Sequence, residues 1–143
     1  MSEKFPQAAR EIMNERFGHD SLLALATIDE NGAPWVRTVN AYYEDGSFYV
    51  VTYALSNKMK QIAKTSAVAV SGDWFTARGT GENMGHILAK ENEEMGDKLR
   101  SAFASWYDNG HTNEADVNTV ILRIRLTSGV LFSHGTRYEI DFT

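Results

Sequence analysis

The stretch YALSNKMKQIAK, residues 53–64, carries an unusual distribution of charge for the start of a helix. From residue 57 onward it predicts a short helix whose first turn holds Lys58 and Lys60 but no Asp or Glu. The free N–H groups of a helix N-terminus are partially positive, so acidic side chains normally stabilise this turn. Ser56 suits the N-cap position, but Met59 stands where a glutamate would complete a capping box. The negative charge expected here is therefore missing from the sequence.

A bound phosphate group would supply this missing charge. Free amides at a helix N-terminus, the hydroxyl of Ser56 and the ammonium of Lys58 are together typical of a phosphate site. Thr52, at the end of the strand that precedes the helix, adds a second hydroxyl. The alternative is that both lysines are solvated surface charges, which cost little and are screened by salt. This stretch alone is compatible with either interpretation.

Arg37 favours the phosphate interpretation. It lies in the strand-like segment WVRTVNA, where alternation gives it three apolar neighbours on its own face: Trp35, Val39 and Ala41. An arginine in such surroundings usually requires an anionic partner. The EDGS turn at residues 44–47 joins this segment to the Thr52 strand, so a regular hairpin would bring Arg37 level with the end of that strand. The alternative partner for Arg37 is an internal carboxylate such as Glu82.

The segments that must position these residues are mostly strands. Strand patterns are clearest in six segments: residues 21–28, 35–43, 48–53, 67–72, 74–83 and 119–126. Tight turns at DENGAP and EDGS make the first three an antiparallel meander. Near the C-terminus, TSG is predicted to turn the chain into VLFSH, and RYEIDF alternates as a last edge. The glycine-rich WFTARGTGEN, residues 74–83, predicts a bend or a close backbone approach. GTGENMG, residues 79–85, lacks the lysine of a phosphate loop and predicts a bulged turn.

Helical patterns occupy three segments: residues 5–17, 57–64 and 91–107. The order of helices and strands shows no β-α-β alternation, no internal repeat and no linker. We therefore predict a single domain over residues 1–143 that is mainly β. Its expected architecture is a six- to seven-stranded antiparallel barrel with about three helices packed around it.

Composition narrows the classes of function. The formal net charge of −5 disfavours nucleic acid as a partner, because phosphate backbones require a basic surface. No cysteine is present, which excludes disulfides and thiol nucleophiles, and none of the four histidines has metal-ligand spacing. No apolar run approaches membrane-spanning length, and the N-terminus does not resemble a signal peptide. A soluble, cytoplasmic protein is expected.

Three segments resemble the FMN-binding split-barrel family that is typified by pyridoxamine 5′-phosphate oxidase and includes general-stress-type flavoproteins: RTVNA, FYVVTYALSNKMKQI and VAVSGDWFTARGTGE. The resemblance implies a split β-barrel in which four residues hold the FMN phosphate: Arg37, Thr52, Ser56 and Lys58. It implies that Thr38, Val39 and Asn40 border the isoalloxazine ring. It also implies a homodimer with the cofactor at the interface, where residues 74–82 and the partner subunit's Trp106 complete the pocket.

The same resemblance implies an oxidoreductase that passes electrons from a nicotinamide or similar donor to a small acceptor. Asn57 replaces a second basic residue common in the oxidases, and their basic C-terminal segment for pyridoxal phosphate is not found. Oxidation of vitamin B6 is therefore not expected, and no residue stands out as a catalytic acid or base. The alternatives are a non-catalytic flavin-binding or stress-response module, a deazaflavin (F420) or haem in the same fold, and a structural dimer without a cofactor.

Overall fold

Seven antiparallel strands form one continuous sheet in the computed structural model, which describes residues 4–143. In chain order they are β1 (Ser21–Ile28), β2 (Pro34–Glu44), β3 (Ser47–Tyr53), β4 (Ala67–Gly72), β5 (Phe75–His86), β6 (Thr119–Ser133) and β7 (Thr136–Asp141). Because β3 also pairs with β6, the first six strands close into a barrel in the order β1-β2-β3-β6-β5-β4. β7 pairs with the second half of β6, outside this ring. The predicted fold class, mainly β with an antiparallel barrel, is confirmed.

Three α-helices accompany the barrel: α1 (Gln7–Phe17), α2 (Asn57–Lys64) and α3 (Glu93–Ala102). Ala9, Met13 and Phe17 follow one another every fourth residue of α1, so one face of this helix is buried in the barrel core. α2 buries Met59 and Ile62 in the same core. Among the helices of residues 4–143, none is long and apolar enough to cross a membrane.

The two faces of β6 contribute to two separate apolar clusters. Inside the barrel, β6 buries alternate side chains, as its sequence pattern predicts: Val120, Leu122, Ile124 and Leu126. On its opposite face, Ile121 is buried in a second cluster with Leu99 of α3, Phe103 and Tyr107. α3 and the segment after it therefore cover the outer surface of the barrel at β3 and β6.

Two glycines of β5 allow close approaches that place the neighbouring elements. A Cβ on Gly81 would lie 2.9 Å from the Ile62 side chain, so glycine lets α2 pack closely on the barrel. A Cβ on Gly79 would lie 2.3 Å from the Arg125 carbonyl oxygen, next to a register shift between β5 and β6. The close backbone approach expected in this segment is thus confirmed.

The turn predicted at TSG is wrong. β6 continues through this segment, because Ser128 pairs with Asp141 of β7 on one side and with Arg78 of β5 on the other. Pairing on both sides holds the backbone extended and outweighs the local turn tendency of the sequence. The chain turns instead at His134-Gly135, where both residues have positive φ.

Two further predictions differ from the structure. Residues 79–85 do not form a turn; they continue β5 as far as His86. The pairing of β5 with β6 shifts register at both ends of this glycine-rich segment. The helix predicted over residues 91–107 ends at Ala102, and beyond it the Trp106 N–H donates to the Phe103 carbonyl in a turn. The Phe103 and Trp106 rings still lie side by side, stacked with 5.0 Å between centroids, although these residues are not helical.

Candidate functional site

A cavity of about 530 Å³ lies between the first half of β2 and the N-terminus of α2. Eight residues line it: Asp29, Trp35, Val36, Arg37, Ser56, Asn57, Lys58 and Gln61. Three of the four residues predicted to hold a phosphate, Arg37, Ser56 and Lys58, therefore meet in one place. They meet because α2 packs on β1, which pairs with β2 along its whole length.

A larger cavity, of about 730 Å³, lies between the N- and C-terminal segments. Its cations have partners within the protein: Lys4 Nζ lies 3.6 Å from an Asp141 carboxylate oxygen, and the Arg10 guanidinium packs over the Phe5 ring. A further carboxylate, that of Asp45, also lines it. Since its charges are offset within the protein, the smaller cavity is the better candidate for a site.

The guanidinium of Arg37 is held only by neutral acceptors. Nη1 donates to the Thr27 hydroxyl at 2.7 Å and to two backbone carbonyls, and Nη2 donates to Gln61 Oε1 at 3.3 Å. Among residues 4–143 no Asp or Glu forms an ion pair with Arg37, so the alternative pairing with Glu82 is not made. Burial disfavours the charged form of Arg37 and lowers its pKa, and no neighbouring carboxylate compensates for this.

Lys58 is the second cation of the cavity. Its Nζ lies 3.4 Å from Ser56 Oγ, and it too forms no ion pair within residues 4–143. Burial lowers the pKa of Lys58, and the positive charge of Arg37 lowers it further. Lys60 is exposed and lies outside this cavity. The two lysines of the first turn thus differ: one lines the cavity, and the other is a surface charge.

The N-terminus of α2 keeps its positive polarity. Ser56 occupies the N-cap position but makes no side-chain capping bond, and the first turn has no acidic residue. Asp29, the one carboxylate of the lining, accepts hydrogen bonds from Trp35 Nε1 at 2.8 Å and from the amides of Asn31 and Ala33. The bond from Trp35 is the main cause that lowers the pKa of Asp29. The cavity therefore combines two cations and a helix N-terminus with a single carboxylate, whose oxygens already accept hydrogen bonds from Trp35 and two backbone amides. This arrangement is suited to binding an anion.

Thr52 is not brought into this cavity. β2 and β3 pair only between Tyr42–Glu44 and Ser47–Tyr49, and then the two strands separate. The regular hairpin that would set Arg37 level with Thr52 is therefore wrong, because β2 stays bonded to β1 while β3 pairs with β6. The contribution of Thr52 to phosphate binding stays a prediction.

The three residues predicted to border a flavin ring lie further along β2. Thr38 is exposed, Val39 packs against the barrel core, and Asn40 Nδ2 donates to Asp20 Oδ1 at 2.9 Å. Trp106 Nε1 donates to the other Asp20 oxygen at 2.9 Å, so within one chain Trp106 is linked to Asn40 through Asp20. None of the three lines the cavity, and their contact with a ring stays a prediction.

Thr38 and Asn40 belong to an outward face of the β1–β2 pair that is largely apolar. Their neighbours across the ladder on this face are residues of β1: Leu22, Ala24 and Ala26. Leu22 is 68 % exposed, and Val36, on the same face, is 69 % exposed. Exposed apolar side chains on one face of a strand pair are typical of interaction surfaces.

Sequence reasoning missed two residues that shape the site, Thr27 and Gln61, which hold the guanidinium described above. Thr27 carried a signal: it is a polar residue on the inward face of SLLALATI, in line with Leu23 and Leu25. It is fully buried, so it needed a polar partner. Gln61 follows Lys58 by three residues, which places the two on one face of α2.

Comparison with known proteins agrees with this architecture. The family model described as pyridoxamine 5′-phosphate oxidase matches residues 6–131. General stress protein 26 of Bacillus anthracis, at 17 % identity and a TM-score of 0.67, aligns over 92 % of this chain and 98 % of its own. An FAD-binding protein of Mesorhizobium loti, at 16 % identity and a TM-score of 0.63, aligns over 78 % of this chain and 85 % of its own. No curated protein matches this sequence.

A haem-binding protein of Mycobacterium smegmatis has a similar structure, at 15 % identity and a TM-score of 0.69. The alignment covers 96 % of this chain and 59 % of that protein. At such identities these structures show the fold alone, whereas the family match rests on sequence and spans β1 to β5 and most of β6. The chain therefore belongs to the pyridoxamine 5′-phosphate oxidase family.

Proposed function

We propose that this protein binds FMN and holds its phosphate in the cavity between β2 and α2. The observation that carries the proposal is the pair Arg37 and Lys58, two half-buried cations that line one cavity and are paired with no carboxylate among residues 4–143. Leaving a buried charge unpaired is unfavourable, so such a charge is best explained by a ligand that pairs with it. A phosphate monoester has the charge and the oxygen acceptors that these donors require.

The remaining predicted contacts follow the direction of β2. A strand advances about 3.3 Å per residue, so Thr38, Val39 and Asn40 lie roughly 3–10 Å beyond Arg37. With its phosphate at Arg37, FMN would have its ribityl chain and ring along these residues. The Ser56 hydroxyl would contact the phosphate from the α2 side, with Thr52 as a further donor at the end of β3.

A homodimer with the cofactor at its interface is part of the proposal. Its support is the apolar outward face of β1 and β2, where Leu22 and Val36 are largely exposed beside Thr38 and Asn40. A second copy placed there would remove this surface from water and enclose the ring-binding stretch of β2. A monomeric mass at micromolar concentration would contradict both the dimer and the interfacial site.

The proposed activity is that of an FMN-dependent oxidoreductase. The bound flavin would supply the redox chemistry, taking electrons from a nicotinamide or similar donor and passing them to a small acceptor. The residues of the chain would bind the phosphate, orient the ring and exclude water from it. Nicotinamide donors are abundant in the cytoplasm, where we expect the protein to act.

A non-catalytic flavin-binding or stress-response role is the second candidate. It is favoured by the structural similarity to general stress protein 26 and by the lining of the cavity, whose one carboxylate, Asp29, has a lowered pKa unsuited to a general acid. F420 also carries a phosphate and would suit the same cations. Haem is less favoured at this cavity, because its iron requires a ligand such as His, Cys, Met or Tyr and the lining contains none.

Titration of the purified protein with FMN and with riboflavin, followed by visible absorption and flavin fluorescence, tests the proposal. We expect saturable, micromolar binding of FMN and much weaker binding of riboflavin, which lacks the phosphate. Absence of FMN binding in this titration would contradict the proposal. Steady consumption of NADH or NADPH by the FMN-loaded protein would support the oxidoreductase, whereas tight binding without turnover would support the second candidate.

A further inference from the structure

Gln61 and Thr27 hold the Arg37 guanidinium in a ring of three hydrogen bonds. Arg37 Nη1 donates to the Thr27 hydroxyl, Arg37 Nη2 donates to Gln61 Oε1, and the Thr27 hydroxyl donates to the same Gln61 oxygen. Thr27 is fully buried, and Gln61 lines the cavity. Because each group in the ring fixes the next, the guanidinium is presented to the cavity in one orientation.

The chemistry of Arg37 determines which way the Gln61 amide faces. A guanidinium can only donate hydrogen bonds, so the amide atom that faces it is the oxygen. The Thr27 hydroxyl already accepts from Arg37, so its own proton goes to the same oxygen. The amide nitrogen of Gln61 is thus left with two N–H donors, for which residues 4–143 provide no hydrogen-bond acceptor.

We infer that Gln61 strengthens the selectivity of this cavity for a phosphate-bearing flavin over the same flavin without a phosphate, by orienting Arg37 and by donating to the phosphate, an inference that rests on the proposed function. Its oxygen orients Arg37 without cancelling the charge of the guanidinium. Its nitrogen supplies a further donor beside Lys58, which lies three residues earlier on the same helix face. Gln61 is a positioning residue for Arg37 and a direct donor to the ligand.

A glutamate at the same place would have the opposite effect. Exchange of the amide NH2 for an oxygen preserves the shape of the side chain but adds a negative charge within reach of Arg37 and Lys58. The carboxylate would pair with the guanidinium, the strongest partner available to it. The cavity would then contain its own counter-charge, and the electrostatic attraction between the cavity and a phosphate would be much weaker.

The test compares FMN and riboflavin dissociation constants for the wild type, Gln61→Glu and Gln61→Met. The ratio of the two constants reports on the phosphate alone, because a general folding defect weakens both flavins together. We expect Gln61→Glu to reduce the preference for FMN by about 30-fold or more and Gln61→Met by about 5–10-fold, with riboflavin affinity nearly unchanged. Gln61→Glu should also raise the melting temperature of the ligand-free protein, since it pairs a charge that was unpaired.

Asn57→Asp is the matched control. It makes the same exchange of NH2 for oxygen and adds the same charge to the lining of the cavity, but Asn57 forms no hydrogen bond with Arg37. We expect it to reduce the preference for FMN clearly less than Gln61→Glu does. Equal reductions would overturn the inference, because charge in the cavity and not contact with Arg37 would then set the selectivity.

The wild-type titration separates this inference from the function on which it rests. A wild type without preference for FMN over riboflavin would overturn the proposed function and this inference with it. A wild type that has the preference, together with Gln61→Glu and Gln61→Met variants that keep it, would overturn this inference alone. If Gln61→Glu fails to fold, the ratio measured for Gln61→Met decides the outcome.

Discussion

Two arginines of this protein differ in the charge of the groups that surround them. Arg100 on α3 forms a two-bonded ion pair with Glu114, at 2.7 and 3.2 Å, and Glu114 also accepts the Tyr107 hydroxyl. The hydrogen bond to Glu114 is the main cause that raises the pKa of Arg100. Arg37 has only neutral acceptors, and burial lowers its pKa. Arg100 thus has an anionic partner inside the protein, whereas Arg37 has none among residues 4–143.

This difference separates a structural cluster around Arg100 from the proposed binding site around Arg37. Glu114 connects the loop before β6 to α3 and to Tyr107, and so holds the second apolar cluster against the barrel. Arg37 contributes no such connection between charged groups, and its neutral partners keep its charge available. We therefore expect substitutions at Glu114 to change stability and substitutions at Arg37 to change binding.

The largest effect is expected at Arg37. Arg37→Met keeps an apolar stem but removes the charge and the donors to the phosphate. FMN affinity should fall by roughly 2–3 kcal/mol, which is about 30–150-fold, as for a charge-assisted contact. Titration calorimetry measures this loss, and thermal unfolding of the ligand-free protein serves as the control. A large loss of stability with unchanged FMN affinity would make Arg37 a structural residue like Arg100.

A smaller effect, on stability, is expected for Glu114→Gln. It removes one of the two carboxylates that pair with Arg100, so that only Asp97 remains, at 3.0 Å from Nη1. It also turns an amide donor toward a guanidinium that can only donate. We expect a loss of about 1–2 kcal/mol, or roughly 3–6 °C in melting temperature, and unchanged FMN affinity. Differential scanning fluorimetry of both proteins is sufficient.

The pH dependence of this loss identifies its cause. The hydrogen bond from Arg100 lowers the pKa of Glu114 below its ordinary value of 4.5, so the unfolded chain takes up the proton first as the pH falls. The stabilisation is therefore complete above about pH 4.5 and is lost as the pH falls through the lowered value. The deficit of Glu114→Gln should shrink in the same acid range. A deficit independent of pH would show that packing, not charge, is responsible.

The smallest effect is expected for the stability of ligand-free Lys58→Met. Burial and Arg37 lower the pKa of Lys58 below 10.5, so between the lowered value and 10.5 the unfolded chain binds the proton better. Wild-type stability should therefore rise with pH through that window. At pH 7 the variant should melt about 1–3 °C higher than the wild type, and the difference should shrink toward pH 10. Thermal unfolding across this range checks it; a lower melting temperature for the variant at pH 7 would mean that Lys58 is already paired.

The elements that sequence reasoning predicted correctly depend on local patterns. The start of α2 at Asn57, directly after Ser56, and the alternation of β6 are both visible within a few residues. Lys58 could be predicted for the site because a helix start without an acidic residue is itself a local signal.

What could not be predicted depends on contacts between distant segments. Gln61 meets Arg37 only because α2 packs on β1. Thr52 does not line the cavity, since β3 separates from β2 and pairs with β6. The segment TSG looks like a turn until β7 pairs with it. In each case tertiary pairing, which has no local signature, decides the position of the residue.

The most direct test of the account compares FMN binding by Lys58→Ala and Lys60→Ala. Both variants remove one lysine from the first turn of α2, so they change the net charge equally, but only Lys58 lines the cavity. We expect Lys58→Ala to raise the FMN dissociation constant by about 10–150-fold, corresponding to roughly 1.5–3 kcal/mol, and Lys60→Ala to change it less than about twofold. Equal effects of the two substitutions, or an unchanged constant for Lys58→Ala, would contradict the assignment of this cavity as the phosphate site.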